Sequence, residues 1–179
     1  MKPLLYGLLY IQDAFVNVAA SNRRSHKVLF AKHVEPYRWV IGRLRAWRTF
    51  HYAYARVPAY KKFIDSQHVA PKWNPFSISL ESIPEMDKAS YIKKYSIEDR
   101  CYDGELPTRG VVVDESSGSS GQPTSWVRGP YEREMVRKIL QVVFAATTSD
   151  KPVFVINAFA LGAWATGMNV SASLTEICI

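Results

Sequence analysis

The residues best suited to chemistry lie in Ser116–Thr124, a stretch rich in glycine and hydroxyl side chains. Gly118 and Gly121 allow backbone N–H groups to turn toward an anion without interference from a Cβ atom. Pro123 limits how far the stretch can collapse. Hydroxyl side chains add donors for phosphate oxygens, and they belong to Ser116, Ser117, Ser119, Ser120 and Thr124. This composition predicts a phosphate-binding loop.

Other origins of such a stretch have to be weighed against phosphate binding. A Walker A loop is excluded, because only two residues separate Gly118 from Gly121 and no lysine follows. A flexible Gly/Ser linker or a remnant of cloning would have the same composition. The flanks argue against both, because Val111–Val113 and Ser125–Val127 are strand candidates, and a linker should separate domains.

The elements around this loop alternate between strands and helices. Gly129 and Pro130 open a predicted helix, whose apolar face carries Met135, Ile139, Val142 and Val143. Pro152–Asn157 is a candidate for a buried strand. Gly162–Ser173 is rich in small residues and indicates either a close-packed helix or a loop. The alternation favours an α/β fold class.

The N-terminal part of the chain has helical patterns. An amphipathic N-terminal helix is favoured over a signal peptide, with its apolar stripe at Leu4, Leu8, Ile11, Phe15 and Val18. A second helix is predicted to begin near Pro36, with core positions at Val40, Leu44, Trp47, His51 and Tyr54. Pro58 should break or restart the helix, and Asp87 is a candidate N-cap for a helix that carries Tyr91, Ile92 and Tyr95. No segment approaches the roughly 20 apolar residues of a membrane span.

Basic residues concentrate between Arg23 and Lys62, where eleven Lys and Arg face the single acid Glu35, a net +10 in a chain of net +7. Such a segment can meet nucleic acid, an anionic membrane or a phosphorylated small molecule, or it can be a solvated helix face. Cys101 and Cys178 lack metal-ligand spacing and fit a reducing compartment, which favours a cytoplasmic location. Each cysteine is either a reactive thiol or a buried free one.

Four segments, in the right order, resemble one enzyme family. Glu115–Thr124 resembles the signature loop of the adenylate-forming (AMP-binding) enzymes, closest to the phenylacetate–CoA ligase-like branch, whose loop reads roughly S-S-G-T-T-G-K-P-T. Arg56–Lys61 is similar to that branch's "VPAY" stretch, and Ile83–Lys88 to its "LPxxDK" element. Asn157–Gly162 resembles the segment that lines the nucleotide and acyl pocket. The resemblance covers about residues 53 to 179.

The resemblance implies a fold and an activity. Residues 1–55 would form an N-terminal helical segment, and residues 56–179 an incomplete part of the large N-terminal domain, with a sheet flanked by helices. In the family reaction a carboxylic acid attacks the α-phosphate of Mg-ATP to give an acyl-adenylate, and a thiol, usually coenzyme A, takes the acyl group. The implied ligands of the β- and γ-phosphates are Ser116, Ser117, Gly118, Ser119, Ser120, Gly121, Gln122 and Thr124. The implied pocket residues are Asn157, Phe159 and Gly162.

The sequence departs from the family pattern at two places. Gln122 stands where this branch has lysine, so the loop lacks a charge that Arg128, just beyond it, could supply. The family's later elements, including the glutamate that helps to hold Mg²⁺ and the C-terminal lysine, are not in the chain. We therefore expect a fragment that carries no catalytic residue or metal ligand of its own, lacks turnover alone and needs the missing downstream part of the polypeptide.

A ligase fragment would bind no nucleic acid. Two other functions stay open beside it. One is a non-catalytic relative, suggested by Gln122. The other is a basic module that binds nucleic acid or an anionic membrane through the helix of residues 36–56.

Overall fold

The computed structural model of the protein describes residues 2–20, 25, 28–69, 80–116, 123–148, 153–162 and 165–177. Most of these residues are helical, in α1 (Lys2–Ala20), α2 (Glu35–Arg56), α3 (Pro58–Ser66), α4 (Pro130–Thr147) and α5 (Ala165–Ile177). Strands β1 (Val112–Glu115) and β2 (Ser125–Arg128) form a two-stranded antiparallel sheet. Short 3₁₀ turns lie at Lys32–Val34, Leu80–Ser82 and Tyr102–Gly104, and a π-helical turn at Lys88–Ile92. The composition of helices and a small sheet is compatible with a broad α/β class.

The chain divides into two compact units. The first unit comprises Met1–Leu9 and Glu35–Leu106, and the second comprises Tyr10–Val34 and Pro107–Ile179. The division into an N-terminal helical segment, 1–55, and a partial adenylation domain, 56–179, which the resemblance implies, stays a prediction. None of the described helices is long and apolar enough to cross a membrane.

The core of the first unit lies where α2 passes into α3. Val57 is extended and Pro58 occupies the first turn of α3, so the predicted helix break is confirmed. Phe50 and Tyr60 pack edge to face with ring centroids 6.0 Å apart, which adds a geometric preference to apolar burial. The buried cluster consists of Phe50, Ala59, Tyr60, Phe63, Ile64 and Tyr91.

Two of the segments quoted for the resemblance serve this core. Tyr60 is buried in it, and Ile83 packs against it. Asp87 caps the turn Lys88–Ile92 as predicted: its carboxylate accepts from the Ser90 N–H at 2.6 Å, while the Ser90 hydroxyl accepts from the Asp87 N–H at 3.0 Å. The capped turn ends at Ile92 and so is shorter than the predicted helix.

Helix α1 forms where the sequence predicts an amphipathic helix. Its apolar stripe is exposed, from 57% at Leu8 to 75% at Val18. Leu9 is buried instead, and Gln12 and Asp13 lie on the half-buried side. Periodicity indicates a helix with two unlike faces, but it does not determine which face turns inward.

The second unit contains the β1–β2 hairpin, helices α4 and α5, and the part of α1 from Tyr10 onward. The strands pair from Val112 opposite Arg128 to Glu115 opposite Ser125. Helix α4 begins as predicted, with Gly129 as N-cap, and the Gly129 N–H donates to the Glu132 carboxylate at 2.9 Å. Helices α4 and α5 pack against each other.

The strand predicted at Pro152–Asn157 is wrong for the described residues 153–157, which have no regular secondary structure; Pro152 lies outside the described residues. Phe154 is 89% exposed, so the run is not buried either. A β-branched run becomes a strand only when it pairs with another strand, and no described strand lies beside this one. For Gly162–Ser173 the sequence indicated either a close-packed helix or a loop. The structure shows a helix there, α5, which begins at Ala165.

Candidate functional site

The predicted phosphate loop lies at the tip of the β1–β2 hairpin. The Ser116 N–H donates to the Thr124 carbonyl oxygen at 3.0 Å, and the Thr124 N–H donates to the Ser116 Oγ at 3.0 Å. These two bonds close the base of the loop beyond the last strand pair. The remaining predicted ligands lie outside the described residues, so their role stays a prediction; they are Ser117, Gly118, Ser119, Ser120, Gly121 and Gln122.

Ser116 and Thr124 keep different hydrogen-bond donors available for a phosphate. The Ser116 hydroxyl oxygen accepts one bond inside the loop, but its own proton can still be donated, because a hydroxyl is both donor and acceptor. The Thr124 N–H is already used in closing the loop, so Thr124 has its side-chain hydroxyl to offer an anion.

A buried carboxylate lies beneath this loop. Asp114 is 2% exposed on β1, and its Oδ2 accepts from the Arg128 Nε at 2.5 Å and from the Asn169 Nδ2 at 2.6 Å. The two donors come from β2 and α5, so Asp114 joins both strands of the hairpin to that helix. Sequence reasoning missed this cluster; its signal was an acidic residue, Asp114, directly after three valines of the strand candidate.

This cluster changes the interpretation of Arg128. The sequence suggested that Arg128 could supply the positive charge missing from the loop. The structure pairs its guanidinium with Asp114, which is buried and needs a counter-charge to offset its desolvation. Arg128 therefore stabilises the base of the hairpin, and the loop gains no charge from that pair.

A cavity of about 360 Å³ lies beside helices α4 and α5. Its volume falls within the range of roughly 300–1,000 Å³ that small-molecule pockets occupy. The lining is almost entirely apolar and consists of Leu140, Phe144, Val155, Ile156, Asn157, Ala158, Phe159, Val170 and Leu174. Such a wall suits an aromatic ring or an alkyl chain.

Two of the three predicted pocket residues line this cavity. Asn157 and Phe159 do, whereas Gly162 is not among the lining residues and has a positive φ of 107°. The Asn157 Nδ2 donates to the Gly167 carbonyl at 3.2 Å, and its Oδ1 accepts from the Phe159 N–H at 3.1 Å. The Asn157 amide therefore positions the wall of the cavity, while Phe159 supplies apolar surface.

The expected Mg²⁺ has no cluster of protein ligands in the described part of the chain. There, no three side chains of His, Cys, Asp and Glu come together as a metal site requires. Mg²⁺ commonly keeps several waters and binds substrate phosphates, so the Mg²⁺ that the resemblance implies would be bound mainly through ATP. Cys101 is half-buried and its Sγ donates to the Ile97 carbonyl at 3.2 Å; Cys178 lies outside the described residues.

Comparisons of the chain with protein-family models, with curated proteins and with solved structures find no match.

Proposed function

We propose that this chain carries the nucleotide-phosphate loop of an ATP-dependent ligase. The enzyme would activate a carboxylic acid as its acyl-adenylate and pass the acyl group to a thiol, with coenzyme A as the expected acceptor. The observation that supports this proposal most strongly is the hairpin, where Ser116 and Thr124 close a loop of glycine and hydroxyl residues at the end of two paired strands. The four-segment resemblance supplies the reaction class.

The reaction makes a defined demand on such a loop. A carboxylate oxygen attacks the α-phosphorus of Mg-ATP, the bond to the oxygen bridging to the β-phosphorus breaks, and pyrophosphate leaves with the electron pair. The thiol sulfur then attacks the acyl carbon, and AMP leaves. Negative charge on the departing pyrophosphate is best stabilised by donors that are already oriented. The closed base of the loop, on a hairpin whose Asp114 is bonded to Asn169, supports this assignment.

The apolar cavity of the second unit supports the choice of acid. Phe144 and Phe159 line it together with aliphatic side chains, and Asn157 is its one amide. A carboxylic acid with an aryl or alkyl group would place that group here. In this proposal the hairpin, α4 and α5 belong to the larger domain in which helices flank a sheet.

Calorimetric titration with Mg-ATP and with pyrophosphate tests the proposed loop. Thr124→Ala should weaken binding about tenfold, since a hydrogen bond to a charged group contributes roughly 1.5–3 kcal/mol. Thr175→Ala is the matched control, because Thr175 is an exposed residue of α5 whose hydroxyl bonds to helix backbone. Equal losses in both variants, or absence of binding by the unaltered chain together with absence of binding by the Gln122→Lys variant described next, would refute the phosphate loop.

A second pair of variants tests the missing lysine. Gln122→Lys should tighten pyrophosphate binding about fivefold, since a charged donor exceeds a neutral one by about 1 kcal/mol. Gln67→Lys adds the same charge at an exposed turn of the first unit and should leave binding unchanged. If only Gln122→Lys binds pyrophosphate, the chain is a relative that has lost this chemistry; if both variants gain equally, the gain is non-specific.

A further inference from the structure

A second cavity, with a largely polar lining, lies between helices α4 and α5. Its volume is about 130 Å³, roughly the volume that four water molecules occupy in the liquid. Such a volume suits an ion of a few heavy atoms and excludes a nucleotide. All of its lining residues belong to the second unit; they are Pro130, Arg133, Glu134, Arg137, Asn169, Ala172, Ser173 and Glu176.

Ser173 brings an unused hydroxyl to this polar cavity. The residue is only 7% exposed, and its hydroxyl makes no hydrogen bond to any other described residue. Buried hydroxyls are ordinarily hydrogen-bonded, often to a carbonyl of the preceding helical turn. Thr175 on the same helix follows that habit, because its Oγ1 donates to the Ala172 carbonyl at 2.7 Å. The Ser173 hydroxyl is therefore available to a ligand.

Arg133 brings a positive charge and unused donors to the same cavity. Its Nη2 donates to the Gly110 carbonyl at 3.0 Å, whereas its Nε is buried and has no acceptor among the described residues. No described carboxylate pairs with this guanidinium. A guanidinium has five N–H donors and stays protonated in proteins, so Arg133 can bind a negatively charged acceptor.

The remaining charges around the cavity offset one another. Arg137 donates to the Glu134 carboxylate through Nε at 2.8 Å, and the same Nε lies 3.2 Å from the Glu176 Oε2. Lys138 Nζ lies 3.5 Å from the Glu134 Oε1. These two cations match the two carboxylates in number, so Arg133 leaves the site with a net positive charge.

We propose that this cavity binds a small oxyanion, such as inorganic phosphate or a short carboxylate, between Ser173 and Arg133. Oxygen atoms of either ion would accept from the Ser173 hydroxyl and from the Arg133 guanidinium, and such charge-assisted bonds are stronger than neutral ones. None of the described lining residues belongs to Ser116–Thr124. The site is therefore distinct from the proposed phosphate loop and does not depend on ligase activity.

Titration of the intact 179-residue chain with inorganic phosphate and with acetate, followed by backbone amide signals in NMR spectra, tests this site. The Arg133 and Ser173 signals should shift and saturate with at least one of the two anions. Tighter binding of phosphate would identify a tetrahedral oxyanion as the ligand, and tighter binding of acetate a carboxylate. Absence of saturable shifts with both anions would overturn the proposal, because the cavity then holds only water.

Variants at the two donors test their roles. Ser173→Ala should weaken binding about tenfold at the Arg133 signal, because it removes a hydrogen bond to a charged group. Ser171→Ala is the matched control, since Ser171 lies on α5 but not among the lining residues. Arg133→Gln should weaken binding by more than tenfold at the Ser173 signal, whereas Arg43→Gln removes the same charge at an exposed position of α2 and should not.

Two results with these variants would contradict the assignment. Equal losses in Ser173→Ala and Ser171→Ala, or in Arg133→Gln and Arg43→Gln, would show that binding does not depend on the two donors. Thr124→Ala separates this site from the phosphate loop and should leave the shift of the Ser173 signal unchanged. Loss of that shift in Thr124→Ala would place the anion in the loop and overturn the second site.

Discussion

At the scale of single residues, Asp114 links the candidate site to the rest of the second unit. Its carboxylate is almost fully buried and is satisfied by Arg128 from β2 and Asn169 from α5. An isolated buried carboxylate is costly, so the partners matter more than they would at the surface. The position of the loop therefore depends on side chains outside the loop.

Arg128→Ala should destabilise the protein by roughly 3 kcal/mol, because it leaves the buried Asp114 without its counter-charge. Lys62→Ala removes a cation from the exposed ion pair with Asp99 and should cost less than about 1 kcal/mol. Urea unfolding of both variants measures the difference. Equal, small losses would mean that the Asp114 pair does not stabilise the hairpin.

Ionisation of Tyr91 should lower the stability of the first unit at alkaline pH. Burial raises the pKa of its hydroxyl to about 12, since the charged phenolate is disfavoured among the core rings. A group whose pKa is raised on folding stabilises the native state fully below its unfolded pKa, here its usual value of 10, and loses that contribution as pH rises toward 12.

Tyr91→Phe should therefore remove part of the loss of stability between pH 10 and pH 12, because phenylalanine has no proton to release. Urea unfolding at several pH values measures this loss. Tyr131→Phe is the control, since Tyr131 is exposed on α4 and should give the profile of the unaltered chain. Identical profiles for Tyr91→Phe and the unaltered protein would contradict the assignment.

At the scale of elements, the positions where helices begin were predicted more accurately than the contacts between elements. Pro58, Asp87 and Gly129 marked the beginnings of helical elements correctly, because a missing N–H, a capping carboxylate and an open N-terminal position act within a few residues. Both strands of the hairpin were also predicted, although β1 extends to Glu115, two residues beyond the predicted Val113.

The failure at this scale concerns contacts between distant residues. The predicted strand at residues 153–157 did not form because no described strand lies opposite it, and the orientation of α1, which the sequence did not predict, likewise depends on the opposing surface. Hydrophobic periodicity describes a single segment and contains no information about its partner. The same reason explains why Asn169, 55 residues away from Asp114, could not be identified as a hydrogen-bond donor to its carboxylate.

Substitution by alanine should change the stability in opposite directions at two glycines that lie in helices. A Cβ at Gly167 in α5 would lie 1.9 Å from the Ala160 carbonyl oxygen, so Gly167→Ala should destabilise by about 1–3 kcal/mol. Nothing lies within 4 Å of a Cβ at Gly42 in α2, so Gly42→Ala should stabilise by about 0.5–1 kcal/mol through helix propensity. Thermal and urea unfolding report both signs, and a stabilised Gly167→Ala would show that α5 does not approach Ala160 so closely.

At the scale of the whole molecule, the features named from the sequence fall into different units. The "VPAY" and "LPxxDK" segments lie in the first unit and serve its core and a helix cap. The loop at Ser116–Thr124 and the cavity with Asn157 and Phe159 belong to the second unit. The composition of the loop predicts phosphate binding, which stays a prediction. The cavity could not be predicted, because it requires α4 and α5 to pack together, which no single segment reveals.

The most direct test of the phosphate loop is a pyrophosphate titration followed by backbone amide signals in NMR spectra. The basic helix α2 is a competing place for an anion, so the location of binding matters more than its occurrence. The proposed function predicts saturable shifts of the Gly118 and Gly121 amides, with the Gly42 amide of α2 unchanged. Shifts confined to α2, or none in Ser116–Thr124, would contradict it.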